Sequence, residues 1–433
     1  MAIYVTVAVI ITALVVGGGV WYITKPTAAA DVLEIYHWWT SGGEKDAIDA
    51  LVAVFKAKYP DTGVIQSPVA GGAGYVMKAV MKSLVLAGEA PDAFQMHAGY
   101  EGQPYFAGGY LDPISDLWEE EGWKDHIPDV VEDMVKFEGE YYAVPVNIHR
   151  PNVVWYNKHV LDAKGIDPAT LTTWDAFFNA CDTLVEDSNI TSPIALGDKG
   201  KWTDTHVLEQ IIAGEGIGFY EDWINGEVTS ATDSKLLDAL ETFKTYLGYV
   251  NADHAALTWD EAIAKVIRGE SAFSVMGDWA NGEFFKVDKV YGTDYGTFPC
   301  PGTTGMYGLV IDCFQHPKGV KHSENSLNWL RVVGSKEGQD TFNPLKGSIA
   351  CRTDADITKY GPYQKAALTD FTNATSMYPS VAHGSGAPEA FTAELDDIMS
   401  DFVEGRDVSA AASALTAATN AASADYTRVW DLS

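Results

Sequence analysis

Residues 32 to 59 read VLEIYHWWTSGGEKDAIDALVAVFKAKY. Val32 to Tyr36 predicts a strand, and the apolar residues Ile48, Leu51, Val52 and Phe55 recur at helical spacing within 44–59. Strand and helix then repeat. Thr62 to Val69 predicts a strand, Val76 to Ala87 a helix, and Asp92 to Met96 a short buried strand ending at His97. Such alternation implies an α/β domain whose parallel sheet is covered on both faces.

A chain of 433 residues exceeds the roughly 250–300 residues at which single cores stop growing, so more than one core is expected. The second begins after the strand Tyr141 to Val146, where a new strand, Asn152 to Tyr156, leads into a mainly helical stretch over 173–270. Thr173 is placed to cap a helix opening at Trp174, and Asp233 or Ser234 to cap one running from Lys235 through Tyr246. Ser271 to Met276 predicts a strand closing on Gly277, and the Ala-rich stretch Ala410 to Ala424 favours helix. No linker rich in Pro, Gly or Ser separates the two regions, so several ordered crossings are expected to join them.

Sixty acidic against 29 basic residues give a net charge of -31, which repels phosphate backbones and anionic lipid and excludes nucleic acid as a partner. The first 24 residues carry no charged side chain, and the apolar run from Ile3 through Ile23 is long enough to cross a bilayer. Ala28-Ala29-Ala30 suits signal cleavage, although a basic leading segment is missing. Residues 1–30 are therefore expected to be an anchor or a signal segment, with the folded part starting near Asp31 outside the cytoplasm. No cysteine lies in residues 1–40 to carry a lipid. The four cysteines show no close metal-type spacing; Cys300, Cys313 and Cys351 leave one disulfide open, and Cys181 is expected to be buried and free.

Thirteen Trp and 21 Tyr supply ring faces that suit the apolar side of a sugar, whose hydroxyls need planar polar partners. Candidates stand at predicted strand ends, where open α/β sheets hold ligands. Trp38 and Trp39 follow the first strand, and Gln95 and His97 end another two residues apart, on the same side. Gly277-Asp278-Trp279 ends a third, and Asp312 follows the apolar Leu309-Val310-Ile311. Each of these also suits a core or capping role.

Trp38-Trp39, Gly71-Gly72-Ala73-Gly74, Gln95 to Gly99, Val144 to Arg150, Ala272 to Ala280, the long block Gly334 to Ala350, and His383-Gly384 closely resemble the glucose-binding proteins of ABC importers. These belong to the extracellular solute-binding family that includes maltose-binding protein, and the likeness runs from about residue 32 to the C-terminal helices. The resemblance implies a two-lobed periplasmic-binding fold of type II, with lobes 31–146 plus 312–373 and 147–311 plus 374–433. Hinge crossings are implied near Val144 to Asn147, Val310 to Phe314 and residues 370–380. It also implies a sugar pocket: Trp39 and Trp259 stack on the ring, and Glu44, Gln95, His97, Asp312, Lys346 and His383 bind hydroxyls, with Trp38, Asp278 and Trp279 as further members. The loop Thr40 to Glu44 departs from the family pattern by one extra residue.

The implied function is a monomeric receptor, not an enzyme, that needs no cofactor or metal and delivers a hexose of glucose, galactose or mannose type to a membrane permease. A glycoside hydrolase would use Glu44 and Asp312 as opposed carboxyls about 5 to 9.5 Å apart, but the His and Lys neighbours suit holding hydroxyls. An oligosaccharide receptor is a further alternative. A metal-binding receptor would draw on His97, His149 and His383, which lack paired spacing. Asn189-Ile190-Thr191 and Asn373-Ala374-Thr375 match the N-glycosylation pattern.

Overall fold

The computed structural model describes residues 31–40 and 42–432; the segment expected to be an anchor or signal lies outside them. β1 (Val32–His37) alternates half-buried and buried positions, turning Leu33, Ile35 and His37 inward. α1 (Gly42–Lys58) covers the sheet with Ala47, Ile48, Leu51, Val52 and Phe55. β2 (Gly63–Pro68), α2 (Tyr75–Leu86) and the fully buried β3 (Ala93–His97) follow as expected from the periodicity. The expected strand over 141–146 is narrowed to β4 (Ala143–Pro145).

β5 (Val153–Asn157) opens the second lobe. α3 (Trp174–Val185) begins where Thr173 accepts the Ala176 N–H, and α4 (Trp202–Gly214) crosses the lobe's interior. Asp233 is the cap of α5 (Ser234–Tyr246), accepting the N–H groups of both Lys235 and Leu236. α6 (Trp259–Arg268) starts in a capping box between Thr258 and Glu261. β6 (Phe273–Val275) and β7 (Tyr295–Pro299) flank β5, both antiparallel to it.

The chain then runs through β8 (Met306–Leu309), crosses at Val310 and Ile311, and enters β9 (Asp312–Gln315) of the first sheet. α7 (Ser323–Gly334), α8 (Lys336–Lys346) and α9 (Pro362–Thr372) lead to β10 (Ser376–Pro379), which pairs in parallel with β8. α10 (Glu389–Gly405) and α11 (Val408–Ala421) complete the second lobe.

The first sheet has the order β2-β1-β3-β9-β4, and it corrects the all-parallel expectation: β9 runs antiparallel to β3 and to β4. The reason is the crossing, which delivers β9 from the other lobe into the middle of the sheet. Asp312 accordingly begins a strand rather than ending one. The crossing segments are tied together, since His149 and Val310 exchange backbone hydrogen bonds of 2.7 and 3.1 Å.

One hydrophobic core lies under the first sheet and reaches across the seam to Trp259, Ile263, Trp279 and Phe284, while a second gathers Phe177, Leu208, Phe243, Phe273 and Leu415. All four cysteines are free and buried. The open disulfide question is answered by their free state, and Cys300 is moreover parted from the other two: it sits in the second core, Cys313 and Cys351 in the first. At the seam the helical turn Asn281–Lys286 meets the start of α1 so closely that a Cβ on Gly282 would lie 3.4 Å from Gly43 Cα.

Asp233→Ala leaves two N–H groups of α5 unmet and is expected to cost about 1 kcal/mol, while Asp233→Ser retains most of the cap. Denaturant unfolding measures both; equal midpoints for parent and Asp233→Ala would contradict the capping role.

Candidate functional site

The ends of β1, β3 and β4 and the start of β9 converge on one buried carboxylate, Asp312. Gln95 Oε1 accepts the Trp38 N–H at 3.1 Å, which turns its amide nitrogen toward Asp312 Oδ1 at 2.8 Å. Asn147 Oδ1 accepts the Asp312 N–H at 3.0 Å, and its amide nitrogen donates to Asp312 Oδ2 at 2.8 Å. Because each amide oxygen is claimed by a backbone donor, neither amide has an alternative orientation. The same Asn147 amide lies 3.1 Å from His149 Nε2, which must therefore accept, so the His149 proton sits on Nδ1 and is donated to Asp278 Oδ1. Burial, joined by the charges of Lys346 and His97, holds His149 well below the usual histidine range.

Above this floor is a cavity of about 270 Å³ between the lobes. Of the residues expected to form a pocket, Trp38, Trp39, Glu44, His97, Trp259, Trp279, Asp312, Lys346 and His383 line it. Gln95 and Asp278 do not. Both are buried behind the lining, Gln95 with its amide spent on Trp38 and Asp312, and Asp278 as the acceptor for His149. In these positions they support residues of the wall.

The structure adds His149, Trp202, Thr258 and Asp260 to the lining. Trp202 follows Lys201, whose φ of 64° is a strained backbone for a residue with a side chain, and no periodicity or spacing marks it in the sequence. His149 had the sequence signal of a polar residue beside a crossing, but its neighbours alone did not distinguish a wall from a core position.

The lining combines two chemistries. Indole rings from both lobes enclose it: Trp38 and Trp39 from the first, Trp202, Trp259 and Trp279 from the second. Trp39 is wedged against Phe342 at 4.9 Å and Phe314 at 6.0 Å, and its Nε1 has no partner among the described residues. Polar groups face the space between the rings. Lys346 Nζ donates to Glu44 Oε1 at 2.8 Å, and burial pushes the Glu44 carboxyl up. His97 Nδ1 meets Glu101 at 2.8 Å, and His383 Nδ1 meets the Ser380 hydroxyl at 2.8 Å. Such a wall offers aromatic faces to C–H surface and fixed donors and acceptors to hydroxyls. Among the described residues, no three His, Cys, Asp or Glu side chains converge in a way that would hold a metal ion.

His206, behind the cavity, packs its ring against Trp202 at 5.8 Å, Trp279 at 5.9 Å and His383 at 5.8 Å, and neither of its nitrogens has a partner among the described residues. Burial lowers it to about 3. The folded protein therefore keeps His206 neutral while the unfolded chain protonates it near 6.5, so its contribution to stability is full above pH 6.5 and is lost as pH falls toward 3. His206→Phe is expected to stabilise the fold by about 2 kcal/mol more at pH 5 than at pH 8, at about 1.4 kcal/mol per pH unit. Denaturant melts at the two pH values test this, and an equal effect at both would refute it.

The model for "Bacterial extracellular solute-binding protein" matches residues 39–340. An ABC transporter extracellular-binding protein of Pyrococcus horikoshii is 47% identical over 401 residues, 92% of this chain and 90% of that one. A probable sugar-binding periplasmic protein of Rhizobium meliloti is 32% identical over 379 residues, 86% of this chain and 89% of its own. Among solved structures, the bacterial solute receptor AcbH, described as preferring β-D-galactopyranose, superimposes with a TM-score of 0.79 at 18% identity, covering 92% of this chain and 100% of that one. With two α/β lobes, a cavity between them and a family match over most of its length, this chain belongs to the bacterial extracellular solute-binding proteins and has their type II periplasmic-binding fold.

Proposed function

We propose that the protein is the extracytoplasmic receptor of an ABC sugar importer, a monomer that captures one monosaccharide of hexose size between its lobes and delivers it to a membrane permease. The observation that carries this reading is the 270 Å³ cavity, walled by indoles and by hydroxyl-binding groups. Its volume lies just below the roughly 300–1,000 Å³ of sites for drug-sized ligands, which suits one sugar ring. The descriptions of the Rhizobium relative and of AcbH point to the same ligand class. In this reading residues 3–23 tether the receptor, or are removed as a signal.

The lobes divide at the crossings near Val144 to Asn147, Val310 to Phe314 and residues 370–380, and they close by rigid-body motion about them. Closure is driven by contacts that a sugar makes only when both walls meet it. Both carboxylates that a hydrolase would need are already engaged, Glu44 by Lys346 and Asp312 by Gln95 and Asn147, which supports holding a sugar over cleaving it.

A second compartment of about 470 Å³ adjoins the cavity, sharing Ala73 and Trp202 and bounded by Tyr75, Tyr105 and Tyr110. It favours a longer ligand as the second reading. Calorimetric titration with glucose, galactose, mannose, xylose and disaccharides separates the two. Hexose binding with no disaccharide heat supports the first; disaccharides alone support the second; no heat with any sugar overturns both.

Trp259→Ala is expected to weaken binding by about 30-fold or more, as for a buried aromatic anchor, and an unchanged affinity would contradict a stacking role. At the seam, Gly282→Ala is expected to bind like the parent, because its Cβ makes only ordinary contacts. Gly282→Leu is expected to weaken binding about tenfold by depopulating the closed form, with melting of the ligand-free protein unchanged. Parent-like affinity in Gly282→Leu would exclude closure at this seam.

A further inference from the structure

Behind His383, buried polar groups form a chain that ends on helix α4. Glu209 is fully buried; its Oε2 accepts the Ala382 N–H at 2.7 Å and lies 2.9 Å from the Ser380 hydroxyl. Its Oε1 accepts from the Gln210 amide nitrogen at 2.9 Å, an orientation held by the Tyr378 hydroxyl, which donates to Gln210 Oε1 at 2.7 Å. The Ser380 hydroxyl is also 2.8 Å from His383 Nδ1, which leaves Nε2 as the ring nitrogen available to the cavity.

We infer that Glu209, acting through Ser380, sets which ring nitrogen of His383 carries its proton, and so whether the cavity meets a hydrogen-bond acceptor or a donor there. The inference deepens the proposed sugar-binding function and rests on it for its consequence, though not for its mechanism.

The serine hydroxyl has one proton to give. While Glu209 is ionised, that proton must go to Oε2, because an oxygen facing a carboxylate without a hydrogen between them is repelled. Ser380 then has only a lone pair for His383, so Nδ1 carries the proton and Nε2 presents an acceptor.

When Glu209 takes up a proton, only Oε2 faces a group able to accept it, since Oε1 faces the Gln210 donor. Glu209 then donates to Ser380, and Ser380 donates to Nδ1. The Nδ1 proton is released and Nε2 takes one from solvent in the cavity. The net change is one proton bound at Glu209.

Neutral histidine is maintained throughout: His383 faces His97, His206, Lys78 and His149, and burial, the largest cause, keeps it well below its usual range. Against Glu209 stand Tyr220, Tyr378 and Cys300, which burial keeps protonated. Burial pushes Glu209 up to about 7 despite its hydrogen bonds, so the change of tautomer falls near neutral pH. Glu209 is a positioning residue that touches no ligand.

The test uses the full-length protein labelled with 15N at histidine and free of sugar, followed by long-range 1H–15N spectra from pH 5.5 to 8.5. The His383 signals are identified by their loss in His383→Gln. The Nδ1–H tautomer is expected at high pH and the Nε2–H tautomer at low pH. Glu209→Gln, whose amide does not titrate, is expected to hold one tautomer throughout. Ser380→Ala, a milder change, removes the pH dependence as well. One tautomer across the whole range in the parent, or a pH-dependent switch surviving in either variant, would overturn the inference.

Sugar titrations over the same range are expected to show an affinity change of about tenfold in the parent, the scale of one hydrogen bond, and a flat profile in both variants. A tautomer switch without sugar binding keeps the inference and sinks the proposed function; sugar binding without the switch does the reverse.

Discussion

The rest of the site depends on a single constraint, that the carboxylate of Asp312 must be satisfied in an almost wholly buried position. An isolated buried charge is costly unless neighbours hydrogen-bond it, and here two side-chain amides from different strands do so. Each amide is pinned in turn by a backbone N–H, one from Trp38 and one from Asp312 itself. The network therefore joins the ends of β1, β3, β4 and β9, and through His149 it extends to Asp278 on the second lobe. A cavity floor built this way has its donors and acceptors oriented before any ligand arrives, which lowers the ordering cost of binding.

The walls act by a different physics. Five indoles and three imidazoles line a space that both lobes enclose, and their apolar faces bracket the polar groups between them. Buried as they are, the Lys346–Glu44 pair and the Asp312 carboxylate act in a medium of lower dielectric than bulk water, where each interaction is stronger. The close seam depends on Gly43, where a Cβ would lie 2.6 Å from the Leu345 carbonyl oxygen and 3.2 Å from Gly282 Cα. The hydrogen-bonded crossing at His149 and Val310 ties the two lobes at the point where the chain passes between them.

Much of the fold was legible locally. Side chains at helical spacing located α1 and α2, alternation located β1, and the caps at Thr173 and Asp233 marked two helix starts. Nine of the eleven candidate pocket residues line the cavity, most of them at strand ends or helix starts near a family-specific motif. Gln95 and Asp278 lie behind the lining, a distinction not legible locally because a polar residue at a strand end looks the same from sequence whether it lines a cavity or supports a residue that does.

The sequence by itself determined the elements, their caps, the acidic surface and the set of polar and aromatic residues that the site draws upon, because each of these follows from side-chain type and short-range spacing. The tertiary structure alone decided that β9 inserts antiparallel into the first sheet, that Cys300 is parted from Cys313 and Cys351, and that Trp202 and His149 complete the wall. Those outcomes rest on contacts between residues far apart in the chain, such as the pairing of Asn147 with Asp312, 165 positions away. No local periodicity encodes such a contact; it exists only once the crossings have brought the two lobes together.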